Sequence, residues 1–207
     1  MRKCILSFLI LIICIFVDTA SGDNNNVVKL QEPKGNTETL IDFAPTLIKF
    51  PFEIKYPAAW YVREEVAGNV QCLFFTREPI KKEGDRYSVG VSLLYNIGYF
   101  ASKEPSESVL SQTAHTVIKI RDWEESKKQF IESLNDGGNI IVSQADTTVS
   151  GQPALKVEYE SKNTRMTIVY IKAGIHLLSI TFEIPLKEYE QYKDIFEKML
   201  TSFFFTR

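Results

Sequence analysis

The chain has 207 residues, 44% of them hydrophobic, 12% aromatic and 24% charged. That supplies one good globular core and too little for two comfortable ones. Its 24 Lys and Arg stand against 26 Asp and Glu, a formal net charge of −2, which lacks the basic excess of a nucleic-acid binder and excludes that class of partner.

Arg2 and Lys3 precede an apolar run from Ile5 to Val17 broken only by Ser7, and the small residues of Ala20-Ser21-Gly22 follow. This is the layout of a Sec-type signal peptide over residues 1–22. The run is shorter than the roughly 20 residues a spanning helix needs. A mature chain with no transmembrane span is therefore expected, exported to the periplasm or the extracellular space. A lipobox is disfavoured at Cys14, because the bulky Ile13 stands where a small residue is required. With Cys4 and Cys14 in the signal, Cys72 remains alone and no intrachain disulfide is expected. It lies in the apolar run Val70–Phe75 and reads as a buried, inert thiol. Without Arg2, Lys3 and Asp18 the balance is 22 basic against 25 acidic residues, still with no strong bias.

Residues 23–46 open with Asn24-Asn25-Asn26 and hold Pro33, Gly35 and Pro45, the composition of a flexible leader. A single domain is expected over 47–207. In Phe50–Val62, Phe52, Ile54 and Tyr56 alternate with Glu53 and Lys55, the period of a half-buried strand. Pro57 removes a backbone donor and ends the ladder, and Trp60 is large enough to seat one end of a core. Strands are expected from Tyr61, over Val70–Thr76 and over Tyr87–Tyr95. Between the last two runs a polar loop carries a Gly84-Asp85 turn signal.

Ser106–Leu134 reads as mostly helical. Ser106 is placed to cap its start, and Leu110, Ala114 and Val117, then Ile120, Trp123, Lys127, Phe130 and Leu134, recur at helical spacing. Asn135-Asp136-Gly137-Gly138 stops it. Two hairpins follow, Ile140–Val149 with Ala154–Tyr159, and Met166–Ile171 with Ile175–Phe182. The second is apolar on both faces, Ile168 and Tyr170 against Val169 and Ile171, so it needs cover on both sides. Pro185 opens a last helix with a stripe of Tyr189, Tyr192, Phe196, Met199 and Phe203, the pattern of a core face.

Catalytic and metal-binding signatures are missing. There is no phosphate loop, zinc-type Cys pair, His-Glu-x-x-His or Gly-x-Ser-x-Gly. His115 and His176 are 61 positions apart, and each reads as a solvated or locally bonded side chain. Glu124 and Glu125 are adjacent on a helix and point apart, while Asp85 and Asp136 read as turn formers. No catalytic, metal-binding or cofactor-binding residue is assigned, and no cofactor is expected. Trp123, Lys127 and Lys128 are the candidate contact residues for a protein partner, weighed against a core Trp with solvated lysines.

The corner Tyr56-Pro57-x-x-Trp60 precedes a middle helix. A strand then turns at Gly151-Gln152-Pro153-Ala154 and runs into Lys156–Tyr159. A long hairpin follows, and a final helix ends in Ser202-Phe203. In order and spacing these resemble the PsbP/Mog-like family over residues 47–205. The resemblance implies an α+β fold, an antiparallel β-sheet flanked by helices on both faces (an α-β-α sandwich). It gives Tyr56, Pro57, Trp60, Gly151, Pro153 and Phe203 scaffold roles only. It also implies a mostly non-enzymatic protein, here an exported accessory or assembly protein that binds a protein partner in the cell envelope. The alternatives are a small-molecule or divalent-ion binding protein, a photosystem II PsbP-type extrinsic subunit, and a hydrolase pairing Ser150 with a histidine.

Overall fold

The computed structural model describes residues 27–36, 38–48, 51–67, 70–80, 87–105, 116–120 and 122–206. The signal segment, Ser106, Asp85 and His115 lie outside them. Thirteen strands and two long helices follow in the order β1 (Val27–Gln31), β2 (Leu40–Phe43), β3 (Phe52–Pro57), β4 (Tyr61–Ala67), β5 (Val70–Thr76), β6 (Gly90–Asn96), β7 (Ala101–Pro105), β8 (Thr116–Ile120), α1 (Trp123–Asp136), β9 (Ile140–Val149), β10 (Gln152–Ser161), β11 (Thr164–Ala173), β12 (His176–Pro185), α2 (Tyr189–Ser202) and β13 (Phe204–Phe205).

The main sheet has eight strands in the order β1-β4-β5-β6-β12-β11-β10-β9, and every neighbouring pair is antiparallel. Two meanders, β4–β6 and β9–β12, meet where β6 pairs with β12. A small sheet, β13-β3-β2, and a β7-β8 ribbon complete the strands.

The alternation expected in Phe52–Tyr56 is observed: Phe52, Ile54 and Tyr56 are buried and Lys55 is exposed. Trp60 is fully buried in a cluster that joins β3, one face of the main sheet and α2. Val62, Leu73, Phe75, Val91, Leu93, Val169, Ile171, Ile180 and Phe182 of the sheet meet Tyr192, Phe196, Met199 and Phe203 there. Phe182 stacks on Phe196 at 4.7 Å, and Phe52 on Phe203 at 5.2 Å. Each fully buried side chain of this size contributes roughly 1.5–3 kcal/mol, so this cluster is the principal source of stability. Leu155, Val157, Tyr159, Ile168 and Tyr170 face the other way and pack against Phe100 and Leu134, with Trp123, Phe130 and Ile131 around them. The two apolar faces of β11 are therefore both used.

The expected α-β-α sandwich is not what the chain builds. The described structure is predominantly antiparallel β, and its two helices, of 14 residues each, are too short to form helical layers over an eight-stranded sheet. One face is covered by the β13-β3-β2 sheet together with α2, and the other only locally by α1. Three further expectations are corrected. Residues 23–46 are not a plain leader, because β1 pairs with β4 and β2 with β3. Residues 116–120 are a strand paired with β7, so the helical reading fails there and holds over Trp123–Leu134, while residues 106–115 lie outside the described residues. Cys72 is half-buried rather than buried.

Candidate functional site

Helix α1 begins where Asp122 accepts the Glu125 amide at 2.9 Å, satisfying one of the unpaired N–H groups of the first turn. Glu124 and Glu125 add negative charge at this end, favourable to the helix dipole. The helix ends as Asn135-Asp136-Gly137-Gly138 predicts: the Gly137 amide bonds the Ser133 carbonyl, Gly138 takes φ +72°, and Asn139 Nδ2 bonds the Leu134 carbonyl. Its apolar side meets β10 and β11. The Tyr170 ring lies between Trp123 (5.7 Å, 12°) and Phe130 (4.8 Å, 4°), offset stacking that adds to simple burial.

The three candidate contact residues divide. Trp123 is half-buried in this stack. Lys127 is drawn inward, its side chain only 12% exposed. Its Nζ sits 2.8 Å from Glu124 Oε2 and 2.7 Å from Asp146 Oδ1, and it lies over the Trp123 ring. The hydrogen bond to Asp146, then that to Glu124, raises the Lys127 pKa above the usual ammonium value. Lys127 thus ties α1 to β9, while Lys128 projects outward at 67% exposure.

That tie leads to a feature the sequence reading missed. β9 is the last strand of the main sheet, and among the described residues nothing pairs with its outer edge. Eight of its ten residues are exposed, seven of them in the unbroken stretch 142–148, and Ile140 and Val142 are 67% and 46% exposed. The strand Ile140–Val149 is where the sequence places it, but the pattern within a strand does not say which strand ends the sheet.

Tyr56 and Trp60 are core, Phe203 closes the cluster under β3, and Ser150-Gly151 turns the β9–β10 hairpin with Pro153 next to it. Ser150 Oγ accepts the Phe205 amide at 3.1 Å, and His176 Nδ1 accepts the Gly98 amide at 2.9 Å. Each group of the suggested nucleophile–base pair therefore holds a backbone partner of its own. Two shallow hollows of about 300 and 200 Å³ share Pro51 and Thr206, and among the described residues Glu53 is the only charged one lining either. Among the described residues no three His, Cys, Asp or Glu side chains converge.

No family model matches the chain, and no curated protein matches it in sequence. Its fold is similar to the solution structure of cyanobacterial PsbP (CyanoP) from Synechocystis sp. PCC 6803. The two share 16% identity with a TM-score of 0.50, over 83% of this chain and 95% of that one. A Pseudomonas aeruginosa protein of unknown function aligns over 81% of this chain and 96% of its own, at 10% identity and a TM-score of 0.42. The first likeness shows a PsbP-like fold.

Proposed function

We propose that this chain is an exported, non-enzymatic accessory protein that binds a protein partner in the cell envelope. The observation that carries the reading is the outer edge of β9. A ten-residue strand with exposed backbone polar groups is a template for pairing with another chain, and it lies beside the exposed side of α1. The apolar segment Ile5–Val17 behind Arg2 and Lys3 supports export. Mild crosslinking of the affinity-tagged chain in native envelope, followed by mass spectrometry, tests the reading. A partner recovered in fixed ratio is expected, and recovery of none refutes it.

The likeness to cyanobacterial PsbP favours a second reading, that of a PsbP-type extrinsic subunit. Co-sedimentation with isolated photosystem II membranes tests it, and a chain left wholly in the supernatant rules it out.

A further inference from the structure

The β9–β10 hairpin closes through Ser150 and Gly151, with φ of 50° and 76°, and pairs Val149 with Gln152. Positive φ at both central positions marks the type I′ turn of a two-residue hairpin, and the residues flanking it exchange both backbone hydrogen bonds. Bonded and non-bonded pairs then alternate along the ladder. Thr147, Ala145 and Ser143, opposite Ala154, Lys156 and Glu158, turn their backbone groups toward β10. Thr148, Asp146 and Gln144 turn theirs outward. Pro153 agrees with this phase: it sits opposite Thr148, where the β9 ladder requires no N–H.

This edge is unguarded. Natural edges are blunted by Pro, by Lys or by bulges that twist them away. The one bulge here faces Glu158 and Tyr159, at the far end, and residues 143–149 contain no Pro, Lys or Arg. Charge then selects the occupant. Asp146 lies on the edge strand, and Glu124 meets it through Lys127. Together α1 and β9 expose the carboxylates of Glu124, Glu125, Glu132, Asp136 and Asp146 against Lys127 and Lys128 among their described residues, so the charge next to the edge is net negative. A second copy pairing edge to edge through a two-fold axis would bring two net-negative helices and both Asp146 strands onto one continuous sheet, like against like. A basic segment meets complementary charge.

We propose that β9 accepts an extended Lys- or Arg-bearing segment of another protein as an added strand. The segment bonds the backbone of Gln144, Asp146 and Thr148, and its cationic side chains meet the negative charge of Asp146 and the neighbouring acidic helix. This rests on the protein-binding reading above and names the chemistry of the partner.

The test is amide exchange of the full chain followed by NMR, with a synthetic ten-residue peptide alternating Lys and Val and a Glu-Val counterpart. The Lys-Val peptide is expected to protect the amides of Gln144, Asp146 and Thr148, and to bind about tenfold more tightly than the Glu-Val peptide through several exposed charge pairs. Gln144→Pro removes an outward donor and no β9–β10 bond, so it is expected to keep the fold and abolish the protection. Should that variant fail to fold, Thr148→Lys is expected to weaken the Lys-Val peptide by charge alone. Equal binding of the two peptides overturns the proposal. So does protection on another strand, or protection of these amides without peptide that grows with protein concentration, which is pairing between copies. An envelope partner captured equally by Gln144→Pro overturns the edge while leaving protein binding in place. Capture of no partner, with peptide protection intact, removes the protein-binding reading and not the edge.

Discussion

The Glu64 carboxylate accepts both the amide and the hydroxyl of Thr46, at 2.8 and 2.9 Å, and the Leu47 amide at 2.9 Å. Glu64 is fully buried on β4, so these three donors replace the water it gives up. They also pin the connector between β2 and β3 against the main sheet, and Lys29 Nζ reinforces the point by bonding Thr46 Oγ1 at 2.8 Å. Glu64→Gln places an NH₂ group where donors already converge. Leaving buried groups unsatisfied in this way costs about 1–3 kcal/mol. A lower urea midpoint with unchanged slope is expected, and an unchanged midpoint would show that the connector is not held from Glu64.

Trp60 tests the aromatic end of the core. Its side chain is fully buried, with the ring 6.4 Å from that of Tyr192, yet its Nε1–H has no hydrogen-bond partner. Replacement by Ala or by Phe removes that donor, and the two differ in the cavity they leave. Trp60→Ala empties the site and is expected to cost about 3–5 kcal/mol. Trp60→Phe leaves a smaller cavity and removes the orphan donor, so it is expected to cost less than half as much. Equilibrium unfolding of both variants measures the difference, and similar losses for the two would mean that filling the site with a ring is not what stabilises this end of the core.

Local patterning carries most of the strands and little of what covers them. Phe52, Ile54 and Tyr56 bury at their expected spacing, and both faces of β11 are apolar and both are used. What lies over those faces is a long-range matter. Helical layers satisfy the pattern as well as a small second sheet does, and no residue of β11 distinguishes them. Val117 and Ile120 match a helical period, but four of the five residues of β8 are β-branched, and pairing with β7 decides the outcome. The edge of β9 is the hardest feature to read. Its strand is legible over Ile140–Val149, but its place at the end of the sheet is set by long-range pairing, and Asp146 gains its meaning only when the fold brings Lys127 to it.

His176 couples the turn before β7 to pH. Its Nδ1 accepts the Gly98 amide, which places the proton of the neutral ring on Nε2. Burial lowers its pKa from the ordinary 6.5. The unfolded chain therefore binds more protons than the folded one in the window between 6.5 and the lowered folded value. Stability is complete above pH 6.5 and is lost as pH falls through that window. Asn at this position keeps an acceptor and cannot titrate. Thermal melts at stepped pH should show this loss in the native chain and a flatter profile in His176→Asn, whereas parallel profiles would remove His176 as the source.

Lys127 and Lys128 stand next to each other in sequence and are expected to separate cleanly in experiment. Lys127 bridges Glu124 and Asp146, lies over Trp123 and is largely shielded. Lys128 is 67% exposed, with Glu132 Oε1 at 4.0 Å. An exposed pair of that kind contributes about 0–1 kcal/mol, so Lys128→Ala should leave stability within about 0.5 kcal/mol of the native chain. Lys127→Met keeps the aliphatic stem against Trp123 and removes only the charge. Its effect should therefore appear as a looser junction between α1 and β9, with faster amide exchange along α1 and at Ala145 and Thr147, whose amides bond β10, rather than as a large global loss. Lys127→Ala also removes the stem, and should be the more destabilising of the two because long charged side chains cover apolar surface as well as carrying charge. If Lys127→Met exchanges at the native rate, the ion pairs do not hold the helix to the edge. If Lys128→Ala is the more damaging variant, Lys128 rather than Lys127 fastens the helix, and the division drawn between them is reversed.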